Sequence, residues 1–271
     1  MMRLEVGRTL RSMAASLRKL ILTGDDFGRS HVVNEAIERH HQAGVLTQAS
    51  LMVNEPAADE AVRIAQRNPA LCVGLHLTLC DGRATVMSAL GGERNRLIRS
   101  PAVAGLWFAF CPSLWAPLRA EIAGQLDRFL AFGLPPAYWD GHTHLHLHPT
   151  VLRLCVPLAS ARGFRYMRLV RTPDSRSVLA LIFRVLSRAA IPHLDAHHVR
   201  FADRVFGLRE TGRMTNRTMQ NLVGELPVGV SEIYFHPGAE PEPLDAPALR
   251  DQIASREIEL TSSERLLAAG E

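Results

Sequence analysis

The sequence predicts an α/β fold, an irregular (β/α) barrel in which a parallel sheet curls around one axis. Short apolar runs of strand type alternate with amphipathic helical runs along most of the 271 residues, a pattern typical of parallel βαβ units. Polar residues follow several of the apolar runs directly, and the turn after the first run holds two carboxylates where a nucleotide-binding open sheet would have a glycine-rich loop. A barrel is favoured because it gathers the carboxyl ends of its strands, and the catalytic groups on them, at one face.

The composition excludes several classes of protein. The chain is 47% hydrophobic and 21% charged, which provides enough apolar surface for folding and excludes a disordered chain. The net charge of +4 comes from scattered arginines, so no basic stripe indicates a nucleic-acid partner. Four cysteines without CxxC spacing do not form a disulfide scaffold. The first 19 residues do not resemble a secretory signal, so a cytoplasmic location is expected.

The first part of the chain alternates regularly between strands and helices. An apolar run over 20–23 ends in a polar turn, Ser30 is placed to cap the following helix, and Gly44 ends it. Later β-prone and amphipathic runs repeat this order. The expected elements are strands at 20–23, 47–53 and 71–79, and helices at 30–42 and 56–66.

An apolar insertion at 81–118 interrupts the alternation. Its segment 100–118 has no charged residue and is nearly long enough to span a bilayer, but prolines at 101, 112 and 117 argue against one continuous helix. The expected organisation is an N-terminal extension at 1–18 and a single barrel domain at 19–271. After the insertion we expect helices at 119–132, 151–162, 177–190, 216–225 and beyond 247, and strands at 138–144, 164–170, 199–206 and 231–235.

The strongest functional signal is the segment 140–149, which reads DGHTHLHLHP. Its four histidines, at 142, 144, 146 and 148, recur with a period of two. In an extended chain all four rings would project to one side, about 6.6–6.8 Å apart. Such a row cannot place every ring on one ion, so one or two are expected to bind a metal and the others to line the entrance or support the ligands.

Asp25 and Asp26 form the second signal. Adjacent carboxylates repel each other, and a divalent cation relieves that repulsion. They lie at a strand end between Gly24 and Gly28, where the chain can bend so that both face one site. One carboxylate can then bind a metal while its neighbour acts as a base.

His76 and Arg168 each lie in an apolar strand, and His236 comes at the end of another. A histidine in such a place is usually a buried core residue. His76 and His236 become candidate site residues because other polar residues also lie at strand ends. Arg168 needs a carboxylate partner, for which Asp25 and Asp140 are candidates. An aspartate with two histidines leaves positions open for water, as a hydrolytic metal requires, but this donor set does not choose between Zn²⁺ and Mg²⁺.

Taken in order, these motifs resemble the YdjC-like carbohydrate deacetylases. The resemblance rests on GDDFGRS at 24–30, GLHL at 74–77, DGHTHLH at 140–146 and FHPG at 235–238, and it covers roughly residues 20–260. The chain departs from the family at Gly141, where serine is usual. Residues 1–18 lie outside the resemblance.

The resemblance implies a fold, a reaction and a set of roles. The fold is an irregular TIM-like (β/α) barrel of the glycoside hydrolase/deacetylase type, and the reaction removes acetyl from N-acetylated amino sugars with one divalent metal ion, Mg²⁺ or Zn²⁺. Asp26, His76 and His142 would bind the metal, Asp25 would be the general base, and His236 would be a general acid or would steady the leaving amine. Asp140, His144, His146 and Arg168 are expected to contact substrate or to support these groups.

Within the family, the sequence looks closest to the branch associated with hopanoid biosynthesis. That branch implies an N-acetylglucosaminyl group on a hopanoid lipid as the substrate. The aromatic residues of the insertion, Trp107, Phe108, Phe110 and Trp115, suit a lipid-facing lid in peripheral contact with a membrane, or equally a contact between the subunits of a homodimer.

Three other functions stay open at this point. The protein could be a deacetylase of soluble chitooligosaccharides or a metallohydrolase of the amidohydrolase kind, although histidines on the first strand are typical of the latter. It could also be a metal- or sugar-binding protein whose catalytic site has decayed.

Overall fold

A computed structural model describes residues 17–86, 90–92, 95–171, 178–241 and 243–270. Most of the expected N-terminal extension, residues 1–16, lies outside the described residues. The described strands are β1 (Arg18–Phe27), β2 (Gln48–Leu51), β3 (Cys72–Leu77), β4 (Trp139–Gly141), β5 (Arg204–Phe206), β6 (Gly229–Phe235) and β7 (Ile258–Thr261).

Helices follow most of the strands, as the alternating pattern predicts. Ser30 caps the first helix, since its side chain accepts a hydrogen bond from the backbone N–H of Val33 at 3.4 Å. The described α-helices are α1 (His31–Gln42), α2 (Ala58–Arg67), α3 (Pro101–Phe110), α4 (Trp115–Ala131), α5 (Pro149–Ala161), α6 (Val178–Ala196), α7 (Asn216–Gly224), α8 (Ala246–Ser255) and α9 (Ser263–Ala269).

The strands form one parallel sheet with β1 at its centre. The order is β4-β3-β2-β1-β6-β5, and β7 pairs with the first half of β1. All residues of β1 from Leu20 onward are buried, as are all residues of β2 and β3. Strands covered on both faces are apolar along their whole length, which explains the continuous apolar runs of the sequence.

The sheet curls into a half-barrel. Beyond β4, isolated parallel bridges join Trp139 to Met167 and Tyr166 to Arg200, so the sheet continues toward β5 through single residue pairs. The strand expected at 164–170 is reduced to these bridges, and the one expected at 199–206 is limited to the bridge and to β5. The prediction of an α/β fold with a curled parallel sheet is confirmed, whereas the closure of a full TIM barrel stays a prediction.

The insertion contains α3 and the first residues of α4, and a sharp bend separates the two helices. Pro101 and Pro112 stand at the starts of α3 and of a short 3₁₀ turn that leads into α4, where a missing N–H costs nothing. Among the described residues, no single helix has the length and apolarity needed to cross a bilayer. One pair, Pro101–Phe110 with Pro112–Ala131, meets that test by length and composition together, but it is bent by 102°.

Candidate active site

The carboxyl ends of the central strands open into a cavity of about 1110 Å³. Its polar floor consists of side chains from β1, β3, the segment after β4 and the residue after β6. Its upper wall is largely apolar and comes from α3, α6, the loop after β5 and one leucine of the turn after β4. The floor includes Asp25, Asp26, His76, His142, His144 and His236, and the wall includes Pro101, Leu145, Ile182, Phe183, Leu186 and Leu208.

Asp25 and Asp26 both face this cavity because the backbone breaks the alternation of the strand. Neighbouring side chains of a regular strand point to opposite faces. Asp26 adopts φ = 65°, and the register of β1 against β2 shifts between Gly24 and Phe27. This left-handed bulge turns two adjacent carboxylates toward one site, as the sequence predicts.

Asp26, His76 and His142 bring one ligand atom each to the same point. Oδ1 of Asp26 lies 3.0 Å from Nδ1 of His142 and 3.4 Å from Nε2 of His76, and the three atoms lie within 4.8 Å of one another. All three side chains are buried. Burial alone would raise the pKa of Asp26, but His142 and His76 outweigh it and hold that pKa well below the usual range.

Asp140 orients the ring of His76. Nδ1 of His76 donates to Oδ1 of Asp140 at 2.7 Å, which leaves Nε2 facing Asp26. A carboxylate on the outer nitrogen of a metal-binding histidine is the usual way to fix its tautomer and orientation. Burial lowers the pKa of His76, but Asp140 and Asp26 outweigh it and raise the pKa to about 10. The surplus of negative charge around this ring favours a cation at Nε2.

Arg168 lies at the centre of the buried charges beneath the cavity. It donates two hydrogen bonds to Asp25, at 2.7 and 2.8 Å, and lies 2.8 Å from carboxylate oxygens of Asp140 and Glu232. Its guanidinium also covers the ring of Tyr234, 4.5 Å from the centroid. The predicted need for a carboxylate partner is met by both candidates. Glu232 is an additional partner that the sequence reasoning missed, although a glutamate inside the apolar run 231–235 could have suggested it.

The row of histidines does not form as predicted. Strand β4 ends at Gly141, and the following turn includes Thr143 at φ = 55° and His144 at φ = 60°. The rings of 142, 144, 146 and 148 therefore point to four different places. The expectation of a continuous strand to about 144 is wrong because left-handed residues end the two-residue period.

Each of the other three histidines in this segment has a separate contact. Nε2 of His144 shares a hydrogen bond of 2.8 Å with the hydroxyl of Tyr234, and Nε2 of His146 donates to the backbone carbonyl of Arg168 at 2.9 Å. His148 accepts from the backbone N–H at the start of α5. Burial lowers the pKa of His146 to about 4 and holds the pKa of His144 well below its ordinary value, so both rings are neutral. His144 lines the cavity, whereas His146 supports the turn.

Gly141 fits this turn because nothing larger has room there. A Cβ on Gly141 would lie 2.8 Å from Nδ1 and 3.0 Å from Cβ of His146. The departure from the usual serine therefore accompanies a close approach of the His146 ring to the end of β4.

His236 follows the last residue of β6 and lies on the opposite side of the cavity floor. Its Nδ1 is 3.5 Å from Glu240, whose carboxylate also accepts the backbone N–H of His236 at 3.2 Å. Burial lowers the pKa of His236, but Glu240, Asp25 and Asp26 outweigh it and raise that pKa. The charged, proton-bearing form of this ring is thus favoured.

Two residues of the cavity mouth were not singled out from the sequence. Arg29 donates to Asp26 Oδ2 at 3.2 Å and to Asp81 Oδ2 at 2.9 Å, and Asp81 lies 3.7 Å from His142. An arginine three residues after Asp26 was the available signal. Arg29 places a positive charge beside Oδ2 of Asp26, whereas Oδ1 of the same carboxylate faces the histidines.

The residues present fit a divalent cation. Oδ1 of Asp26 is buried and lies 3.0 and 3.4 Å from ring nitrogens of His142 and His76, but it accepts no well-directed hydrogen bond among the described residues, which leaves it able to bind a cation between the two rings. One carboxylate oxygen and two imidazole nitrogens are a donor set that Zn²⁺ and other divalent transition metals accept, with positions left for water. Asp26, His76 and His142 would hold the ion.

Comparison with known sequences places the chain in a family. The model of the family described as YdjC-like protein matches residues 19–269. The chain belongs to the YdjC-like family. It is 39% identical over 144 residues to a carbohydrate deacetylase of Geobacillus stearothermophilus, covering 52% of this chain and 56% of that protein. The chain thus spans little more than half of that relative.

Two further curated relatives extend the comparison. A carbohydrate deacetylase of Mus musculus is 30% identical over 256 residues, covering 83% of this chain and 80% of that protein. A chitooligosaccharide deacetylase of Serratia marcescens is 32% identical over 174 residues, covering 60% of this chain and 63% of that protein.

Solved structures support the fold. A protein of Enterococcus faecalis whose name refers to cellobiose-phosphate cleavage superposes with a TM-score of 0.69 at 21% identity, covering 93% of this chain and 99% of that one. A lactam utilization protein of Thermus thermophilus superposes with a TM-score of 0.50 at 17% identity, covering 89% and 98% of the two chains. At these identities the likeness concerns the fold alone.

Proposed function

We propose that this YdjC-like protein is a metal-dependent hydrolase that removes acetyl from an N-acetylated amino sugar. The observation that carries the proposal is the convergence of Asp26, His76 and His142 on one point beside Asp25, at the floor of a large cavity. The names of the curated relatives, carbohydrate deacetylase and chitooligosaccharide deacetylase, support the reaction and the class of substrate.

The proposed roles follow from the position of each side chain. A divalent cation held by Asp26, His76 and His142 supplies Lewis-acid polarisation of the amide carbonyl and a water of lowered pKa. Asp25 faces the cavity but is held by Arg168, so its oxygens are fixed beside the ligands. Asp25 is the general base in this proposal, and it takes the proton of the attacking water.

His236 is the proposed general acid. The amine that leaves an amide needs a proton, since an amide anion is a very poor leaving group. The ring of His236 lines the same cavity and carries a raised pKa, so a protonated imidazole is available there. After proton transfer to the nitrogen, the products are acetate and a free amino sugar.

The finer proposal concerns the group that carries the sugar. The cavity wall above the polar floor is formed by Leu145, Phe183, Leu186 and Leu208. An apolar wall of this extent suits a lipid attached to the sugar, and with the resemblance to the hopanoid-associated branch it supports an N-acetylglucosaminyl group on a hopanoid lipid. The Serratia relative's name favours a soluble chitooligosaccharide as the alternative substrate.

Mass spectrometry of reaction products tests both levels of this proposal. The protein is incubated with an N-acetylglucosaminyl hopanoid and, separately, with chitobiose and longer chitooligosaccharides, each with and without a chelator. Loss of one acetyl group that the chelator prevents and that added Zn²⁺ or Mg²⁺ restores is the expected result. Product from the lipid alone supports the finer proposal, and product from the soluble sugars alone replaces the lipid with a chitooligosaccharide as the substrate. No product from either substrate with metal bound overturns the proposed deacetylase activity.

A further inference from the structure

Exposed large hydrophobic side chains concentrate on two helices at the cavity mouth. Eleven such side chains are exposed in the described residues, and eight of them belong to α3 and α6. Isolated exposed hydrophobic residues are normal, whereas a group of this size on two helices that line one cavity marks a docking surface. The eight, here called the apolar face, are Val103, Leu106, Trp107, Phe110, Val178, Leu181, Ile182 and Val185.

Both helices of the apolar face adjoin the cavity. Pro101 and Ala102 of α3 line it on one side, and Ile182 and Phe183 of α6 line it on another. Both helices also pack against the turn at 142–147 that carries the histidines. Whatever covers the apolar face therefore lies directly beside the entrance to the site.

The charged residues nearest in sequence to the side chains of the apolar face are arginines, of which Arg99 also lies 3.8 Å from Asp81. Residues 99–119 and 178–194 include four arginines and not one aspartate or glutamate. Arg99 precedes α3 and Arg119 lies on α4, and both are exposed. Arg184 and Arg188 are exposed on α6 near Val185. An apolar surface with an aromatic component and an arginine border is the composition of helices that lie in the interface of an anionic membrane.

We propose that the apolar face docks onto the surface of an anionic lipid bilayer. A second copy of the chain is a poorer occupant, because a two-fold contact through this face would bring its own arginine border against itself. A bilayer accepts both parts, the apolar side chains at the level of the acyl chains and the arginines at the phosphates. Docking does not depend on the proposed reaction. A docked chain opens its cavity mouth at the membrane interface, where a lipid-linked sugar substrate of that reaction would reside.

Vesicle co-sedimentation of the full chain tests the proposal. The probes are vesicles of phosphatidylcholine alone and of phosphatidylcholine with phosphatidylglycerol, at low and high salt, without any sugar. Binding to the anionic vesicles that weakens in high salt is expected. The double variant Phe110→Glu with Val185→Glu should bind at least about tenfold more weakly, because it places two carboxylates in the apolar face.

A matched control uses the opposite end of the molecule. Val228 is exposed to a similar degree as Val185 but directly precedes β6, at the edge of the sheet away from the cavity. Val228→Glu should bind vesicles as the unmodified chain does, and the thermal unfolding of all variants should show that they are folded. Equal loss of binding in Val228→Glu and in the double variant would assign the binding to general charge and overturn the docking surface.

Tryptophan fluorescence locates the contact. Lipids brominated on the acyl chains quench a tryptophan that enters the interface, and Trp107 is the exposed tryptophan of the apolar face. Quenching should occur with the anionic vesicles and be reduced in Trp107→Phe. A chain that ignores both kinds of vesicle, or that sediments in the ultracentrifuge as a dimer until Phe110 and Val185 are replaced, contradicts the proposal. Vesicle binding without deacetylation of any substrate would overturn the proposed function and leave the docking surface intact.

Discussion

Arg168 holds the carboxylate of Asp25 with two parallel hydrogen bonds, from Nη1 to Oδ2 at 2.7 Å and from Nη2 to Oδ1 at 2.8 Å. Both side chains are buried, and the same guanidinium contacts Asp140 and Glu232. A bidentate arginine–carboxylate pair fixes orientation as well as charge. The guanidinium of Arg168 therefore aligns the proposed base, Asp25, and also aligns the ring of His76 through Asp140.

Asp25→Asn should abolish turnover without releasing the metal. The amide cannot accept the proton of the attacking water, so we expect turnover to fall by at least about 10²-fold. The proposed ligand set does not include Asp25, so metal content should stay near one ion per chain. Acetate release and elemental analysis of the purified variant measure the two quantities, and turnover close to that of the unmodified chain would remove Asp25 from the role of base.

Glu232→Gln is the control for this experiment. Glu232 also accepts a hydrogen bond from Arg168, at 2.8 Å, but it does not line the cavity. The variant removes a carboxylate from the same guanidinium and keeps the shape of the side chain. Turnover should therefore be reduced far less than in Asp25→Asn. Equal losses in the two variants would show that the effect of Asp25 comes from the balance of buried charge.

Asp140→Asn should weaken metal binding. Asp140 does not reach the ion itself in the proposed site, but its carboxylate accepts from His76 Nδ1 and so presents Nε2 to the metal. Loss of such a partner typically costs about 10–100-fold in metal affinity. Competition with a chromophoric chelator measures the affinity. An unchanged affinity in the folded variant would mean that His76 is not a ligand or does not need this orientation.

Much of the site could be predicted from the sequence because it depends on strand ends. A residue near the carboxyl end of a predicted parallel strand must lie at the carboxyl edge of the sheet, so Asp25, His76 and His236 could be brought to one face without knowledge of the packing. Arg168 could be paired with Asp25 and Asp140 because a buried guanidinium requires carboxylates. These inferences needed only the approximate position of each strand.

The remaining details depend on backbone conformation that residue patterns do not reveal. Nothing in the alternating histidines indicates that Thr143 and His144 adopt positive φ, yet those two residues decide where four rings point. The half-barrel likewise depends on single bridges at Met167 and Tyr166 in a segment that looks like an ordinary strand. The prolines of the insertion were a partial guide, since they exclude one straight helix but do not show that α3 begins at Pro101.

Gly74→Ala should destabilise the fold. A Cβ at this position of β3 would lie 2.4 Å from Cε1 of Tyr138, and that ring is fully buried with its hydroxyl 3.0 Å from Ser50. The ring cannot withdraw without leaving this contact, so we expect a loss of about 1–3 kcal/mol in the free energy of unfolding. Urea denaturation measures it. Gly224→Ala on α7, where the nearest atoms are 3.5 Å away, is the control and should be nearly neutral.

His40 should make the fold sensitive to mild acid. Its ring is buried on α1 and packs edge-on against Phe235, with centroids 5.9 Å apart. Burial, with a smaller contribution from Arg39, lowers its pKa from the usual 6.5 to about 4. Because the folded pKa lies below the unfolded one, the unfolded chain binds more protons between these values, and stability falls as the pH drops from about 6.5 toward 4.

His40→Leu should remove this part of the pH dependence. In the unmodified chain kept free of metal, the His40 contribution to the free energy of unfolding should fall by about 1–2 kcal/mol between pH 7 and pH 5. The decrease in the free energy of unfolding of His40→Leu over the same range should be smaller by this amount. Urea denaturation at the two pH values gives the difference. His31→Gln is the control of opposite sign, since Glu60 and Glu35 raise the pKa of that exposed ring, so its contribution is present in acid and lost as the pH rises. Parallel curves for His40→Leu and the unmodified chain would show that the ring accepts a proton inside the fold at little cost.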